Sequence, residues 1–124
     1  MKILTWNVWY KEDPKNFLEL LKNTKWDVCC LQEVMKGFHP EVPDVDEYLK
    51  ESLRVGGFLA TAQGRSEKGW SQGNLILSRL PITDTFSYYI QDQNDDPEPS
   101  FSDEGRVVAG IEVDSSLKIF TTHM

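Results

Sequence analysis

The sequence predicts an α/β protein in which a mixed sheet is flanked by helices, and three observations carry that prediction. Two apolar runs, residues 3–8 and 26–31, have the length and composition of buried strands. Between them lies a segment whose apolar residues recur at helical spacing. A strand, a helix and a strand in so short a length of chain predict a right-handed crossover that joins two parallel strands.

The first helix is predicted within residues 11–25, because Asp13 suits the N-cap and Pro14 the first helical position. The following strand, residues 26–31, is continuously apolar, which indicates burial on both of its faces. The apolar stripe expected on the first helix consists of Phe17, Leu18, Leu20 and Leu21.

A second helix is predicted within residues 39–57, where Gly56-Gly57 would stop it. Residues 91–104 carry six acidic side chains and no basic one, and we expect a surface loop there. The remaining strands are predicted at residues 58–62, 74–78 and 85–90, and as a hairpin of residues 107–113 and 117–123 around "DSS".

Length and composition indicate one globular domain: 124 residues with a formal net charge of -7, which disfavours passive electrostatic binding of nucleic acid. Cys29 and Cys30 are adjacent, and neighbours on a strand point to opposite faces, so no disulfide is expected. We find no apolar run of membrane-spanning length and no secretory signal in the sequence. These features predict a cytoplasmic protein.

Asn7 and Glu33 lie near the carboxyl ends of the two predicted parallel strands. Because parallel neighbours end at the same edge of a sheet, these side chains can converge there, where ligands bind in open α/β sheets. A carboxylate at that edge suits a hard cation such as Mg²⁺, and a carboxamide can orient a ligand without adding charge. The alternative is that Glu33 enters a solvated loop and Asn7 caps its strand.

The predicted hairpin brings Arg106 and His123 to one face if its loop has two residues, whereas a three-residue loop would separate them. Arg106 is suited to holding phosphate, and His123 to protonating a leaving oxygen. Asn74 begins a buried strand, which would return it to the edge of Asn7 if that strand runs antiparallel. The alternatives are a surface arginine, an ordinary histidine and a turn at Asn74.

Four short motifs occur in order along the chain: "TWNV", "LQEV", "GNLILSRLPI" and "FTTHM". Together they resemble the motifs of the endonuclease/exonuclease/phosphatase superfamily, the family of deoxyribonuclease I. The resemblance extends over essentially all of the chain. It implies a two-sheet α/β sandwich of the deoxyribonuclease I-like type, with a mixed sheet and flanking helices.

The resemblance also implies roles for individual residues. Glu33 would ligate a catalytic Mg²⁺, with Mn²⁺ as the alternative, and Asn7 would support that metal and the phosphate. Asn74 would belong to the active-site edge, and His123 would contact the scissile phosphate with help from Arg106. The implied reaction is hydrolysis of a phosphoester by in-line attack of an activated water.

The chain also departs from the family pattern. Trp9 stands where many nuclease members have an aspartate. The Gly-Asp-x-Asn motif and the final Asp-His pair have no counterpart, so residues 1–124 are expected to be the N-terminal half of the domain. Such a half is expected to be inactive and marginally stable, and to self-associate through apolar residues that lack a partner: Leu75, Leu77, Ile119 and Phe120.

Two functions stay open at this point: a metal-dependent phosphodiesterase, nuclease or phosphatase, and a non-catalytic binding or structural domain on the same scaffold. The sequence leaves the phosphoester substrate open among DNA, RNA, a phosphotyrosyl adduct, a phospholipid and an inositol or other sugar phosphate.

Overall fold

A computed structural model of the chain describes residues 1–62, 69–91, 106–114 and 116–123. Within these residues the chain forms two sheets, with strand orders β1-β2-β4-β3 and β5-β6-β7. The elements are β1 (Ile3–Asn7), α1 (Pro14–Asn23), β2 (Val28–Lys36), α2 (Val45–Leu53), β3 (Gly56–Thr61), β4 (Ser71–Ser78), β5 (Ile82–Gln91), β6 (Arg106–Val113) and β7 (Leu117–Thr122).

The first sheet is mixed, as predicted. β1 and β2 are parallel, from the pair Ile3 and Val28 to the pair Asn7 and Gln32. β4 runs antiparallel to β2 and to β3, which returns the start of β4 to the edge where β1 ends. The second sheet is entirely antiparallel. The prediction of an α/β two-sheet sandwich is therefore confirmed.

Helix α1 begins as its sequence predicts. The carboxylate of Asp13 accepts a hydrogen bond from the Lys15 backbone N–H at 2.9 Å, which satisfies one of the free donors in the first turn. Leu20 was expected in the apolar stripe but is 48% exposed, because it lies beyond the face that the helix packs against the sheet. The buried side chains of α1 are Phe17, Leu18 and Leu21, together with Pro14.

Strand β2 is buried on both faces, as its continuous apolar run predicts. Cys29 and Leu31 pack in the cluster that contains the helices, whereas Val28 and Cys30 pack in the cluster that contains the second sheet. The alternation of side chains along a strand separates the two sets. The first sheet is therefore the central layer, with helices on one side and the second sheet on the other.

The expectation that four apolar residues lack a packing partner is wrong for three of them. Leu75 and Leu77 are fully buried beneath the helices, and Ile119 is 9% exposed between the sheets. The three strands of the second sheet pack across the first sheet on the side opposite the helices, so the inner faces of both sheets are covered. Phe120 is 49% exposed on the outer face of the second sheet, where it packs against Phe86.

Helix α2 ends before the glycine pair that was expected to stop it. Arg54 adopts a left-handed conformation as the C-cap (φ 56°, ψ 51°), and Gly56 and Gly57 instead open β3. The strand is found there because the glycines pair with Ser78 and Leu77 of β4. Strand β5 begins at Ile82, three residues earlier than predicted. Of the predicted acidic loop, residues 91–104, all but residue 91 lie outside the described residues.

The two cysteines are free thiols on opposite faces of β2, which confirms that they are not paired with one another. Burial raises the pKa of Cys29 to about 12 and that of Cys30 to about 11. Both thiols therefore keep their protons well above the pH at which an exposed cysteine ionises. Among the described helices, we find none of the length and hydropathy that a membrane span requires.

The thiols predict a fall in stability at high pH. Above pH 9.0, the reference value, the unfolded chain loses thiol protons that the folded chain retains, so the free energy of unfolding decreases until each folded pKa is passed. The decrease should reach about 1.4 kcal/mol per pH unit for each thiol. Urea unfolding of the wild type and of Cys29→Ala across this range measures it. Equal slopes in the two proteins would contradict the burial of that thiol.

Gly37 and Gly69 offer a matched pair for testing loop packing. Both have positive φ values, 82° and 71°, so alanine is strained at either position. A Cβ on Gly37 would lie 2.4 Å from the Gly69 carbonyl oxygen, whereas a Cβ on Gly69 would meet no described heavy atom within 4 Å. Gly37→Ala should therefore destabilise the fold by about 1–3 kcal/mol more than Gly69→Ala. Thermal and urea unfolding test this, and equal losses would contradict the close contact.

Candidate functional site

Glu33 lies in a β-bulge rather than at the end of a strand. Leu31 pairs with Leu75 and Val34 pairs with Gly73, so that two residues of β2 oppose the single residue Asn74 of β4. Glu33 itself has a φ of 60°, in the left-handed region that non-glycine residues rarely adopt. The expectation that β2 ends near Leu31 is therefore wrong, since the bulge re-aims the Glu33 side chain and the strand continues.

The Glu33 carboxylate is held by the chain that follows β1. Asn7 Nδ2 donates to Glu33 Oε1 at 3.1 Å, and the Tyr10 backbone N–H donates to Glu33 Oε2 at 3.2 Å. The Trp9 backbone N–H donates to Asn7 Oδ1 at 3.0 Å. Because a backbone N–H can only donate, this contact fixes which end of the carboxamide faces Glu33. Asn7 therefore presents its amino group to the carboxylate.

His123 reaches the same group from the second sheet. Its Nε2 lies 3.3 Å from Asn7 Nδ2 and 3.6 Å from Glu33 Oε1. Ile119 is buried between the sheets, and the alternation along β7 continues through Thr121 to His123. The packing of the two sheets thus brings together residues that are 116 positions apart in sequence.

The hairpin that carries His123 has a different register from the predicted one. Val113 pairs with Leu117, so three residues connect the strands, and Asp114 adopts a left-handed φ of 51°. Aspartate tolerates this conformation, which three-residue hairpin loops commonly contain. The two-residue loop was wrong, yet Arg106 and His123 still line one cavity, since Arg106 stands at the very start of β6.

A small cavity of about 20 Å³ lies beside these groups. This volume is room for about one water-sized particle, so a larger ligand would have to lie across its mouth. No hydrogen bond or ion pair joins the Arg106 side chain to another described residue, so its guanidinium is available at the cavity. The lining residues are Glu33, Ala62, Gln72, Gly73, Asn74, Arg106, Val107 and His123.

Asn74 lines the cavity, but its amino group is engaged in structure. Its Nδ2 donates to the Val107 carbonyl oxygen at 2.8 Å, and Thr122 Oγ1 donates to the same oxygen at 3.0 Å. Asn74 is only 4% exposed and connects β4 of the first sheet with β6 of the second. This position suits anchoring of the cavity more directly than contact with a reacting group.

Gln32 is a site-supporting residue to which the sequence analysis gave no role. It is 8% exposed, and its Nε2 lies 3.1 Å from Thr5 Oγ1 and 3.0 Å from Thr121 Oγ1. It therefore joins β1 and β2 to β7 directly behind His123. The available signal was a carboxamide at the end of a buried apolar run, since a buried polar group requires hydrogen-bond partners.

An aromatic rim borders the site on the side of β1 and β2. Tyr10 packs against Phe38, and Phe38 against Trp70, with ring centroids 5.9 and 5.2 Å apart. Trp9 is 55% exposed and has a left-handed φ of 62°. Trp9 and Glu33 are thus two strained residues joined through Asn7, and such strain is concentrated at functional sites.

The donor set fits a metal that takes few protein ligands. Across the described residues there is no group of three or more histidine, cysteine or acidic side chains that could hold an ion. Glu33 is the one carboxylate among the described residues that line the cavity, and its side chain is 18% exposed. Mg²⁺ commonly binds through one or two carboxylates together with waters and substrate phosphate. The side-chain oxygen of Asn7 accepts from the Trp9 backbone N–H, so Asn7 is better suited to orienting Glu33 than to ligating a metal itself.

The fold is similar to that of two solved structures. One is an endonuclease/exonuclease/phosphatase from Beutenbergia cavernae DSM 12333, with a TM-score of 0.77 and 21% sequence identity. The other is an endonuclease/exonuclease/phosphatase family protein from Leptotrichia buccalis C-1013-b, with a TM-score of 0.72 and 20% identity. Both similarities cover 100% of this chain, which spans 38% and 55% of the respective structures.

Comparison with curated proteins gives no match. Comparison with family models does, and the match extends from residue 4 to residue 113. That range contains both elements that hold Glu33 and most of the second sheet. The chain therefore belongs to the Endonuclease/Exonuclease/phosphatase family.

Proposed function

We propose that the complete protein is a divalent-metal-dependent phosphoester hydrolase, and that residues 1–124 are the N-terminal half of its catalytic domain. The contacts among Asn7, Glu33 and His123 at one cavity support this most directly. Family membership supports the same reaction class, since the family's members are typically metal-dependent phosphoester hydrolases.

Glu33 is the proposed metal ligand, for Mg²⁺ or alternatively Mn²⁺. Its two oxygens accept from Asn7 Nδ2 and from the Tyr10 backbone N–H, so the carboxylate is oriented before any ion binds. A divalent metal at this position would stabilise the negative charge that develops on the phosphoryl oxygens. Asn7 acts on the metal through Glu33, because its oxygen is occupied by the Trp9 N–H.

His123 and Arg106 are the proposed phosphate contacts. The guanidinium of Arg106 can pair with two phosphate oxygens, and it lines the cavity beside His123. When His123 carries a proton on Nε2, that N–H can donate to a phosphoryl or leaving oxygen. Asn74 supports both residues by bonding the Val107 carbonyl at the start of β6.

The groups that position and deprotonate the attacking water are proposed to belong to the other half of the domain. The coverage of 38% and 55% of two structures with the same fold supports this division. The net charge of -7 on residues 1–124 disfavours a long nucleic acid as the substrate.

Replacement of Glu33 tests the catalytic proposal. In the complete protein, Glu33→Gln should lower kcat/KM for a metal-dependent phosphodiester substrate by about a hundredfold or more. A metal contributes on the order of several kcal/mol of transition-state stabilisation, and each 1.36 kcal/mol is a factor of about ten. Hydrolysis of bis(p-nitrophenyl) phosphate in Mg²⁺ and Mn²⁺, with EDTA blanks, gives the measurement.

Glu51→Gln is the matched control, since Glu51 is an exposed carboxylate on α2 outside the cavity lining. It should leave kcat/KM unchanged, and both variants should melt like the wild type. A Glu33→Gln protein with near-normal activity at limiting Mg²⁺ would contradict the metal assignment. A complete wild-type protein that turns over no phosphoester would favour the non-catalytic alternative.

Asn7→Ala tests whether Asn7 acts by orienting Glu33. Loss of a residue that orients a metal ligand typically weakens metal affinity about 10- to 100-fold. Mn²⁺ binding to the complete protein, measured by electron paramagnetic resonance, should weaken by such a factor. Asn16→Ala is the control, because Asn16 Nδ2 donates to Glu12 Oε1 at 2.7 Å outside the cavity. Equal affinities in Asn7→Ala and the wild type would contradict this role.

A further inference from the structure

A second concave surface lies at the other end of the strands of the first sheet, opposite the Glu33 cavity. It is an open groove of about 540 Å³, within the range of small-molecule sites, formed where β1 and β2 begin and β4 ends. We call it the basic groove. Its lining residues are Met1, Lys2, Lys22, Thr24, Lys25, Trp26, Asp27 and Arg79.

The groove concentrates positive charge in an acidic chain. Among the described residues, four cationic side chains and one carboxylate, that of Asp27, line the groove, whereas the whole chain carries a net charge of -7. Within the described part of the chain, none of the ion pairs involves a lysine or arginine of this groove. These cations are therefore not neutralised by nearby carboxylates, which leaves a local positive potential.

Arg79 is held rigidly in the groove. Its Nε–H donates to the Trp26 carbonyl oxygen at 2.9 Å, and its guanidinium carbon lies 4.3 Å from the centre of the Trp26 ring. Trp26 is only 3% exposed, and its indole N–H donates to the Leu21 carbonyl oxygen at 3.0 Å. The terminal nitrogens of Arg79 have no hydrogen-bond partner among the described residues. They form a preorganised fork of the kind that binds phosphate.

The lysines beside Arg79 are not required to cap helix α1. A helix C-terminus normally attracts cations because its last carbonyls lack partners. Here two of the last four carbonyls already accept from side chains, Leu20 O from Thr24 at 2.8 Å and Leu21 O from Trp26 at 3.0 Å, and among the described residues neither Lys22 nor Lys25 makes a side-chain hydrogen bond or ion pair. Lys22 and Lys25 therefore remain available to a ligand.

The one carboxylate in the groove is also engaged. Asp27 Oδ2 accepts from the Lys2 backbone N–H at 2.7 Å, and the Arg79 backbone N–H donates to the Asp27 carbonyl oxygen at 2.9 Å. These bonds fix the start of β2 against the end of β4. The bond from Lys2 also occupies one oxygen of the Asp27 carboxylate.

We propose that the basic groove is a second anion site, which binds a phosphate-bearing ligand that carries two or more negative charges. Arg79 would grip one phosphate in a fork, and Lys2, Lys22 and Lys25 would neutralise the remaining charge. The ligand is either a free oligophosphate or a phosphorylated lipid head group, which present the same chemistry. The proposal does not depend on the proposed hydrolase activity, because the groove and the Glu33 cavity lie at opposite ends of the strands of the first sheet.

Pyrophosphate is the probe that tests this site, in buffer freed of metal ions so that no metal bridges it to Glu33, and at about 0.1 M ionic strength so that distant charges are screened. Titration of the ¹⁵N-labelled complete protein should give saturable shifts at Lys2, Trp26 and Arg79. Arg79→Gln should weaken binding about tenfold or more, because a charge-assisted hydrogen bond is lost. Arg79→Lys should restore part of that loss, since it returns the charge without the fork.

Two control variants separate the site from general attraction. Lys118→Gln removes an equal charge from the exposed face of β7 and should leave the affinity within about twofold, since screened charges at a distance act weakly. Arg106→Gln removes a proposed phosphate contact of the other cavity, so it should not change the affinity that is read from the shifts at Arg79. If Arg79→Gln does not fold, Lys25→Gln takes its place as the test variant, because Lys25 lines the same groove at an exposed position.

The outcomes divide clearly. The proposal is overturned if pyrophosphate binding does not saturate, or if Lys118→Gln weakens that binding as much as Arg79→Gln does. It is also overturned if Arg106→Gln is the only variant that weakens the binding. Vesicles of phosphatidylcholine with phosphatidic acid identify the source of the ligand. Binding to these vesicles that pyrophosphate displaces assigns a lipid head group. Pyrophosphate binding without vesicle binding assigns a free oligophosphate.

Discussion

The burial of β2 on both faces is the constraint on which the rest of this structure depends. Cys29 and Leu31 require the helices on one side, and Val28 and Cys30 require the second sheet on the other. A strand with no polar face can only be an inner strand of a middle layer. That position requires a paired strand on either side, β1 and β4, and a second sheet that packs across one face.

The buried polar residues beside the bulge, Gln32 of β2 and Asn74 of β4, then need partners inside the sandwich, since an unbonded polar group is costly to bury. Gln32 finds Thr5 and Thr121, and Asn74 finds the Val107 carbonyl across the same gap. These bonds join the two sheets at the edge where the bulge turns Glu33 outward. The same polar contacts that satisfy the interior thus set the position of the candidate site.

Local sequence determined much of the scaffold. The cap at Asp13 determined the start of α1, the spacing of Phe17, Leu18 and Leu21 determined its buried side, and the continuous apolar run of β2 determined burial on both faces. The apolar run of β2 also determined that its two cysteines lie on opposite faces. The motif order was sufficient to predict the sandwich and to nominate Asn7, Glu33 and His123. These features depend on neighbours within a few residues, or on patterns that the chain repeats.

Only the tertiary structure decided the details of the site. The bulge at Glu33 arises from pairing with β4, and no nearby residue signals it. The hairpin register followed from the left-handed conformation at Asp114, which short turn motifs do not fix uniquely. The structural bond of Asn74 and the bridging role of Gln32 required the second sheet to be in place. Each is set by contacts between residues distant in sequence, whereas sequence periodicity records only which face of an element is buried.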